Sequence, residues 1–286
     1  MTTKVFYHAH CMDGLAAAWV FRNAYPNDDV EFCAVSYSED FEPVVDSVIY
    51  FLDFCLPADQ MVALAVCNEE VIVLDHHVHS LKSFEGVSIP DNLHLQGSST
   101  EHSGAVLTWL YFNANIRFLP KLLAYIEDRD LWRFKLPHSR DINAAIAVEC
   151  DTFADLTQFD EWLKTPNSFD DIAETGSWLN KSRLSEASKI AEQAWEIAFL
   201  GFKVPVVNAT TFVSEVGNEM CKGMPFSISF RDTPTQRVFS LRSQRVGGED
   251  VGAICKSLGG GGHVNAAGFS TSLKEGIEIC GRLVKE

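Results

Sequence analysis

Asp75, His76 and His77 stand together directly after the apolar run Val71-Ile72-Val73-Leu74, so a carboxylate and two imidazoles arrive where a strand should end. Oxygen and nitrogen donors of this kind, with no dominant thiolate set, suit Mn²⁺, Mg²⁺ or similar ions better than a structural zinc. The chain supplies partners for them. His8 and Asp13 follow the run Val5-Phe6-Tyr7, and Asp53 follows Val48-Ile49-Tyr50-Phe51-Leu52, so three strands would each end in a metal donor. Two ions about 3.5 to 4 Å apart polarise a phosphoryl group and activate the water between them, and Asp53 is the natural bridging ligand for such a pair. A single Asp at a strand end is ordinarily a turn or cap residue. Adjacent histidines after an Asp are harder to dismiss, because burying two imidazoles requires hydrogen-bond partners. Asp128 and Asp130, at the end of a helical stretch, each read alone as a solvated acidic face, and His10, His79, His94, His102 and His138 read as ordinary structural or surface histidines.

The elements that would position these residues follow from periodicity. Short β-branched and aromatic runs near 4–8, 30–36, 47–53 and 70–75 alternate with helical stretches, the rhythm of parallel strands with crossover helices. Gly14 to Tyr25 and Pro57 to Val66 read as helices that open just after candidate ligands. In a parallel α/β sheet the strand C-termini converge on one crevice, so donors far apart in sequence can meet there. Residues 102 to 129 predict two helices broken near Pro120, with further helix to about 165. Apolar residues at helical spacing over 168–198, ending in Trp195, predict a long connecting helix. Beyond it, runs at 203–207, 226–230 and 238–241, a helix at 250–257, four consecutive glycines (Gly259 to Gly262) and a final helix from Leu273 predict a small α+β module. The expected fold class is α/β: a parallel-sheet domain at 1–180, a linker helix at 181–200 and a smaller α+β domain at 201–286.

The 286 residues suffice for two domains, and 47% apolar content is that of a chain able to bury a core. A formal charge of −16 argues against the broad basic face that long duplex nucleic acid requires. A phosphate-bearing substrate should then be short, with metal ions supplying positive charge locally. No run approaches the roughly 18 consecutive apolar residues of a membrane span, and no export signal precedes the first strand. Eight cysteines without a C-x-x-C pair fit reduced thiols, so a cytoplasmic protein without membrane partners is expected.

With these residues assembled, the chain resembles the DHH phosphoesterase superfamily over essentially its whole length. Residues 238–269 look like the companion DHHA1 domain, carrying Ser240-Leu241-Arg242-Ser243, then Gly259 to Gly262 with His263, and Ala266-Ala267-Gly268. Glycines without Cβ let backbone N–H groups approach an anion, and Arg242 offers a planar fork for phosphate. Arg242, Ser243, Gly260, Gly261, Gly262 and His263 are therefore the expected substrate-binding residues, read as a loop. The resemblance implies that His8 and Asp13 serve different ions, that Asp53 bridges them, and that His76 is a ligand. It makes His77 the substrate-facing histidine beside Asp75, and it points to Asp130, near Phe134, as a further ligand with Asp128 as the fallback. One residue departs from the family pattern: Cys11 stands where the first motif carries its first Asp, giving a C-x-D-G variant. As a thiolate it would shift preference toward Zn²⁺, Fe²⁺ or Mn²⁺. As a thiol it would leave one ion weakly held, with His10 a conceivable substitute.

The resulting expectation is a phosphohydrolase using two divalent ions, Mn²⁺ foremost. Its substrates would be phosphodiester or phosphomonoester bonds of small nucleotides or very short oligonucleotides, with water attacking phosphorus in line and homodimerisation left as an option. An inorganic pyrophosphatase or exopolyphosphatase, a processive single-strand exonuclease, and a nucleotide-binding regulator with a degenerate metal site are the competing readings.

Overall fold

The computed structural model describes residues 2–36, 41–97, 101–113 and 115–281. The chain divides into two compact units, residues 1–180 and 181–286.

The first unit is built on five strands: β1 (Thr2–His8), β2 (Val30–Val35), β3 (Ser47–Leu52), β4 (Glu70–Leu74) and β5 (Leu93–Gln96). All neighbours pair in parallel in the order β2-β1-β3-β4-β5. The chain therefore runs outward in opposite directions from β1, and the crevice at that switch point opens at the C-terminal ends of β1 and β3. Successive side chains alternate faces. Val5, Leu52, Ile72 and Leu74 enter a large core beneath α1 (Met12–Ala24) and several later helices, while Phe6, Ile49, Phe51, Val71 and Val73 pack on the opposite face with Met61 and Leu64 of α2 (Ala58–Cys67). A single-turn α3 (Val78–Leu81) follows the His pair. Helices α4 (Gly104–Asn113), α5 (Lys121–Asp130), α6 (Ser139–Glu149) and α7 (Phe153–Lys164) complete the first core, the last opened by a Thr152–Asp155 capping box. β5 was not anticipated, because four residues with alternating burial carry too little pattern to read.

Helix α8 (Pro166–Ala191) spans the division between the units. It ends before the expected limit of 200. Trp195, expected on the helix, begins β6 (Trp195–Phe199), because a strand pairing of Trp195 with Val206 overrides local helical spacing. The second unit continues with β7 (Phe202–Asn208), α9 (Val213–Met220), β8 (Ser227–Asp232), β9 (Gln236–Arg242), α10 (Val251–Ser257), β10 (Gly261–His263), β11 (Ala266–Ser272) and α11 (Leu273–Ile279). Its sheet runs β10-β11-β9-β8-β7-β6, antiparallel except for the β7–β8 pair. Phe226, Ile228, Phe239, Leu241 and Phe269 form its core. Among the described residues no helix is long and apolar enough to cross a membrane.

Candidate metal centre

Each donor is delivered by the end of an element. His8 closes β1, and Ala9 N–H continues the ladder to Val35 O at 2.7 Å. Asp53 follows β3 and Asp75 follows β4, their amides still bonded to Leu74 O at 2.9 Å and Gln96 O at 3.1 Å. The strand ladder thus sets both Cα positions one step past the sheet. Asp53 adopts a left-handed backbone, φ 53°, which turns its carboxylate off the strand path at a conformational cost that the surrounding structure must enforce. Asp13 lies in the first turn of α1 and Asp130 at the last residue of α5.

These residues meet. Asp53 Oδ1 lies 3.2 Å from His76 Nε2, and Asp53 Oδ2 lies 3.4 Å from His8 Nδ1. His76 Nε2 is also 3.5 Å from Asp130 Oδ2 and 4.0 Å from Asp13 Oδ2. Two donor groups away from His77 result, each with its atoms within 4.8 Å of one another: His8, Cys11 and Asp53, and Asp13, Asp53 and His76; a third joins Asp53 to Asp75 and His77. Asp53 is common to all three. Cys11 enters because its extended backbone ahead of α1 (φ −122°, ψ 129°) places its sulfur beside His8 and Asp53. His10 is exposed, with φ 56°, and belongs to neither group.

The electrostatics fit a cation. Asp13 and Asp53 are each 1% exposed, and no hydrogen bond among the described residues reaches Asp13 Oδ2 or Asp130 Oδ2. Burial raises the Asp13 carboxyl, and the charges of Asp53 and Asp130 raise it further. Asp130 is raised chiefly by burial. Burial also opposes ionisation of Asp53, but His76, His8 and His77 outweigh it and hold this carboxyl well below the usual range. His76 shows the reciprocal effect: burial disfavours its charge, yet Asp53, Asp130 and Asp13 push it up to about 10. An imidazolium here neutralises a crowd of carboxylates, a task for which divalent ions are better suited. Burial, then Asp53, Asp130 and Asp13, pushes the Cys11 thiol well up, which favours its uncharged form.

His77 joins the cluster through Asp53, whose Oδ1 lies 3.9 Å from its Nδ1, and is oriented by Asp75. Its Nδ1 lies 2.6 Å from Asp75 Oδ1, which also accepts the His77 backbone N–H at 3.2 Å. Asp75 is fully buried and thereby fixes the ring, while its Oδ2 accepts no hydrogen bond among the described residues. Burial lowers the His77 imidazole, but Asp75 outweighs it and raises it overall.

Sequence reasoning missed the groups that hold the cluster in place. Ser103 Oγ donates to Asp13 Oδ1 at 2.6 Å, and Ala105 N–H, at the N-terminus of α4, approaches the same oxygen at 3.3 Å. Gly104 between them is required, since a Cβ there would stand 2.5 Å from Asp53 Cβ. Glu127 accepts from Ser103 N–H at 3.0 Å and Arg133 Nη1 at 3.1 Å, with His102 Nδ1 at 3.1 Å, tying α4 to α5. The Ser-Gly pair before a helix was the only local signal. Asp128, the fallback ligand, turns away: its carboxylate accepts the Lys135 and Leu136 amides at 2.9 and 3.1 Å, so it folds the chain beyond Asp130.

The expected anion-binding residues lie in the second unit. Only the first half of the glycine run is loop: Gly259 and Gly260 precede the strand, while Gly261, Gly262 and His263 form β10, paired with Gly268, Ala267 and Ala266 of β11. Bare Cα atoms permit this pairing. A Cβ on Gly260 would lie 2.1 Å from Gly268 O, and one on Gly262 would lie 2.6 Å from Ala266 O. Arg242, at the end of β9, donates to Leu241 O at 2.8 Å and Ser214 Oγ at 3.0 Å. Ser243 is buried and its Oγ accepts from Asn265 Nδ2 at 2.9 Å, which makes it a brace for the β10–β11 turn.

No family model matches the chain. An uncharacterised protein of Acanthamoeba polyphaga mimivirus is 27% identical over 300 residues, covering 96% of this chain and 68% of that protein. An exopolyphosphatase-related protein from Bacteroides fragilis superposes with a TM-score of 0.53 at 15% identity, covering 97% of this chain and 89% of that one. RecJ from Thermus thermophilus, solved in complex with Mn²⁺, gives a TM-score of 0.50 at 15% identity, covering 98% of this chain and 51% of its own. At these identities the likeness is one of fold: the chain shares the α/β architecture of the exopolyphosphatase-related protein and of RecJ.

Proposed function

We propose that this chain is a divalent-metal-dependent phosphohydrolase of the DHH superfamily. Its substrates would be phosphodiester or phosphomonoester bonds of small nucleotides or very short oligonucleotides. The observation that carries this reading is the pair of donor groups sharing Asp53. His8, Cys11 and Asp53 would hold one ion, and Asp13, Asp53 and His76, with Asp130 beside them, the other. Bound there, divalent ions supply the positive charge that polarises a phosphoryl group and eases deprotonation of water. The protein's own contribution is positional. Asp75 presents His77 in one orientation as a donor toward negative charge developing on phosphate oxygens. Ser103 and Glu127 keep Asp13 and the α4 terminus from moving into the crevice. Within the second unit, Arg242 and the glycine hairpin are the candidate phosphate-binding groups.

The solved structure of RecJ with Mn²⁺ supports manganese as the first ion to test. The likeness to an exopolyphosphatase-related protein puts pyrophosphate and polyphosphate on the same panel. Purified protein with Mn²⁺ is expected to release mononucleotides from dinucleotides or short oligonucleotides, resolved by chromatography. If dinucleotides, short oligonucleotides and nucleotide monophosphates all remain intact while polyphosphate shortens, the nucleotide reading is wrong. Binding without product across several divalent ions would instead favour a regulator.

A further inference from the structure

The segment that follows Asp130 is built more elaborately than a connection needs to be. Trp132 and Phe134 both adopt left-handed backbones, φ 53° and 48°, a conformation that bulky side chains rarely take. Asp128 enforces it with four hydrogen bonds: its backbone oxygen accepts from Arg133 and Phe134 at 2.8 and 3.2 Å, and its carboxylate accepts from Lys135 and Leu136. The cost is not recovered in a core, because neither ring belongs to any hydrophobic cluster of the described residues. The two half-buried rings instead meet each other edge to face at 4.9 Å and 76°, and the Arg140 guanidinium lies 3.6 Å above Phe134. Arg129 stands 5.3 Å from the Trp132 ring. Residues 129–140 carry four cations (Arg129, Arg133, Lys135, Arg140) against one carboxylate in a chain of net charge −16. Half-buried aromatic rings and cationic groups are thus concentrated beside Asp130.

Aromatic faces and guanidinium planes are the groups on which unpaired bases stack. Trp132 stands two positions after Asp130, a reach of at most about 7 Å between Cα atoms, comparable to the distance from a nucleotide's phosphate to its base. We propose that Trp132, Phe134 and Arg140 form a nucleobase subsite, receiving the base of the nucleotide whose phosphate lies at the Asp53 cluster. This rests on the phosphohydrolase reading above and adds to it a base-recognition element inside the first unit. It also accounts for the strained backbone, since a left-handed turn presents the two rings side by side so soon after a helix end.

The strain supplies the test. Glycine accepts φ near 50° without penalty, so Trp132→Gly removes the ring while relieving the backbone. The kcat/KM for a dinucleotide is to be measured against that for its abasic counterpart, together with thermal unfolding. Trp132→Gly and Phe134→Gly are expected to reduce the ratio of the two by on the order of tenfold, with no loss of thermal midpoint. Arg140→Gln should reduce it less. An unchanged ratio overturns the proposal, whether both rates hold or both fall together, and the second pattern would mark the rings as scaffold. If the wild type cleaves neither compound, the phosphohydrolase reading fails on its own, and calorimetry with AMP decides the subsite. Weaker AMP binding by Trp132→Gly than by wild type sustains it; equal binding, or none by either, overturns it.

Discussion

At the carboxylate cluster, side chains carry the chemistry and the backbone must be held still around them. At the β10–β11 hairpin the backbone itself fills the space and side chains are excluded. Both regions depend on bare Cα atoms, for opposite reasons. Gly104 leaves room for the Asp53 side chain, whereas Gly260 and Gly262 leave room for the main chain of a neighbouring strand. The first arrangement concentrates buried charge and gives up stability to do so. The second is a packing solution with little charge at stake. Changes in the first region should therefore register mainly in turnover and metal affinity, and changes in the second mainly in stability.

The largest effect should come from Asp53→Asn, because both donor groups lose a member at once. Asn tolerates the left-handed backbone and removes the charge that opposes Asp13 and Asp130. Turnover is expected to fall on the order of a thousandfold, while the thermal midpoint measured without metal changes little, because the lost partnership with His76 and His8 offsets the relieved repulsion of Asp13 and Asp130. A parallel collapse in stability would mean that the cluster is structural. Matched glycine substitutions come next. Gly104→Ala drives a methyl into Asp53 and should cost roughly ten- to a hundredfold in metal affinity. Gly262→Ala, at φ 136° and with its Cβ against Ala266 O, should instead cost about 1–3 kcal/mol in denaturant unfolding. If the two readouts exchange places, the contrast between the regions is wrong.

A smaller change is expected from Ser103→Ala, which deprives Asp13 Oδ1 of its hydroxyl donor and leaves only the Ala105 amide. Metal affinity should fall about tenfold, read by titration with Mn²⁺. The smallest prediction concerns acid sensitivity in the second unit. Arg237 bonds both oxygens of Asp232 and holds that carboxyl below its ordinary range. A lowered folded pKa contributes stability above the unfolded value, and this is lost as pH falls through the folded one. Asp232→Asn should therefore flatten the decline in denaturant midpoint between about pH 6 and about pH 3, and only slightly, because the side chain is 43% exposed.

The donor residues were legible because strand periodicity is a local signal: an apolar run followed by Asp or His marks a strand C-terminus, and a parallel sheet brings such ends together. Asp13, Asp53 and His76 were readable on those grounds. Ser103 was not, since its partner lies 90 positions away and a Ser-Gly pair before a helix reads as a cap. Glu127 looked like any acid on a helix until it was found buried between His102, Ser103 and Arg133. Choosing between Asp128 and Asp130 required knowing which way each carboxylate turned. The glycine run misled in part: four glycines suggest a loop, yet Gly261 and Gly262 enter a strand, and only the neighbouring strand shows why a Cβ is excluded at Gly260 and Gly262.

By itself, then, the sequence determined the alternation of strands and helices, the residue types at three strand ends, and the acidic balance of the chain. All of these follow from side-chain chemistry and short-range periodicity. Only the tertiary structure decided that Asp53 is shared between two donor groups, that Cys11 reaches one of them, and that Gly104 and Ser103 stand against the cluster. Those outcomes depend on parallel strand order and on where α1, α4 and α5 pack, and distances set by packing have no counterpart in local sequence.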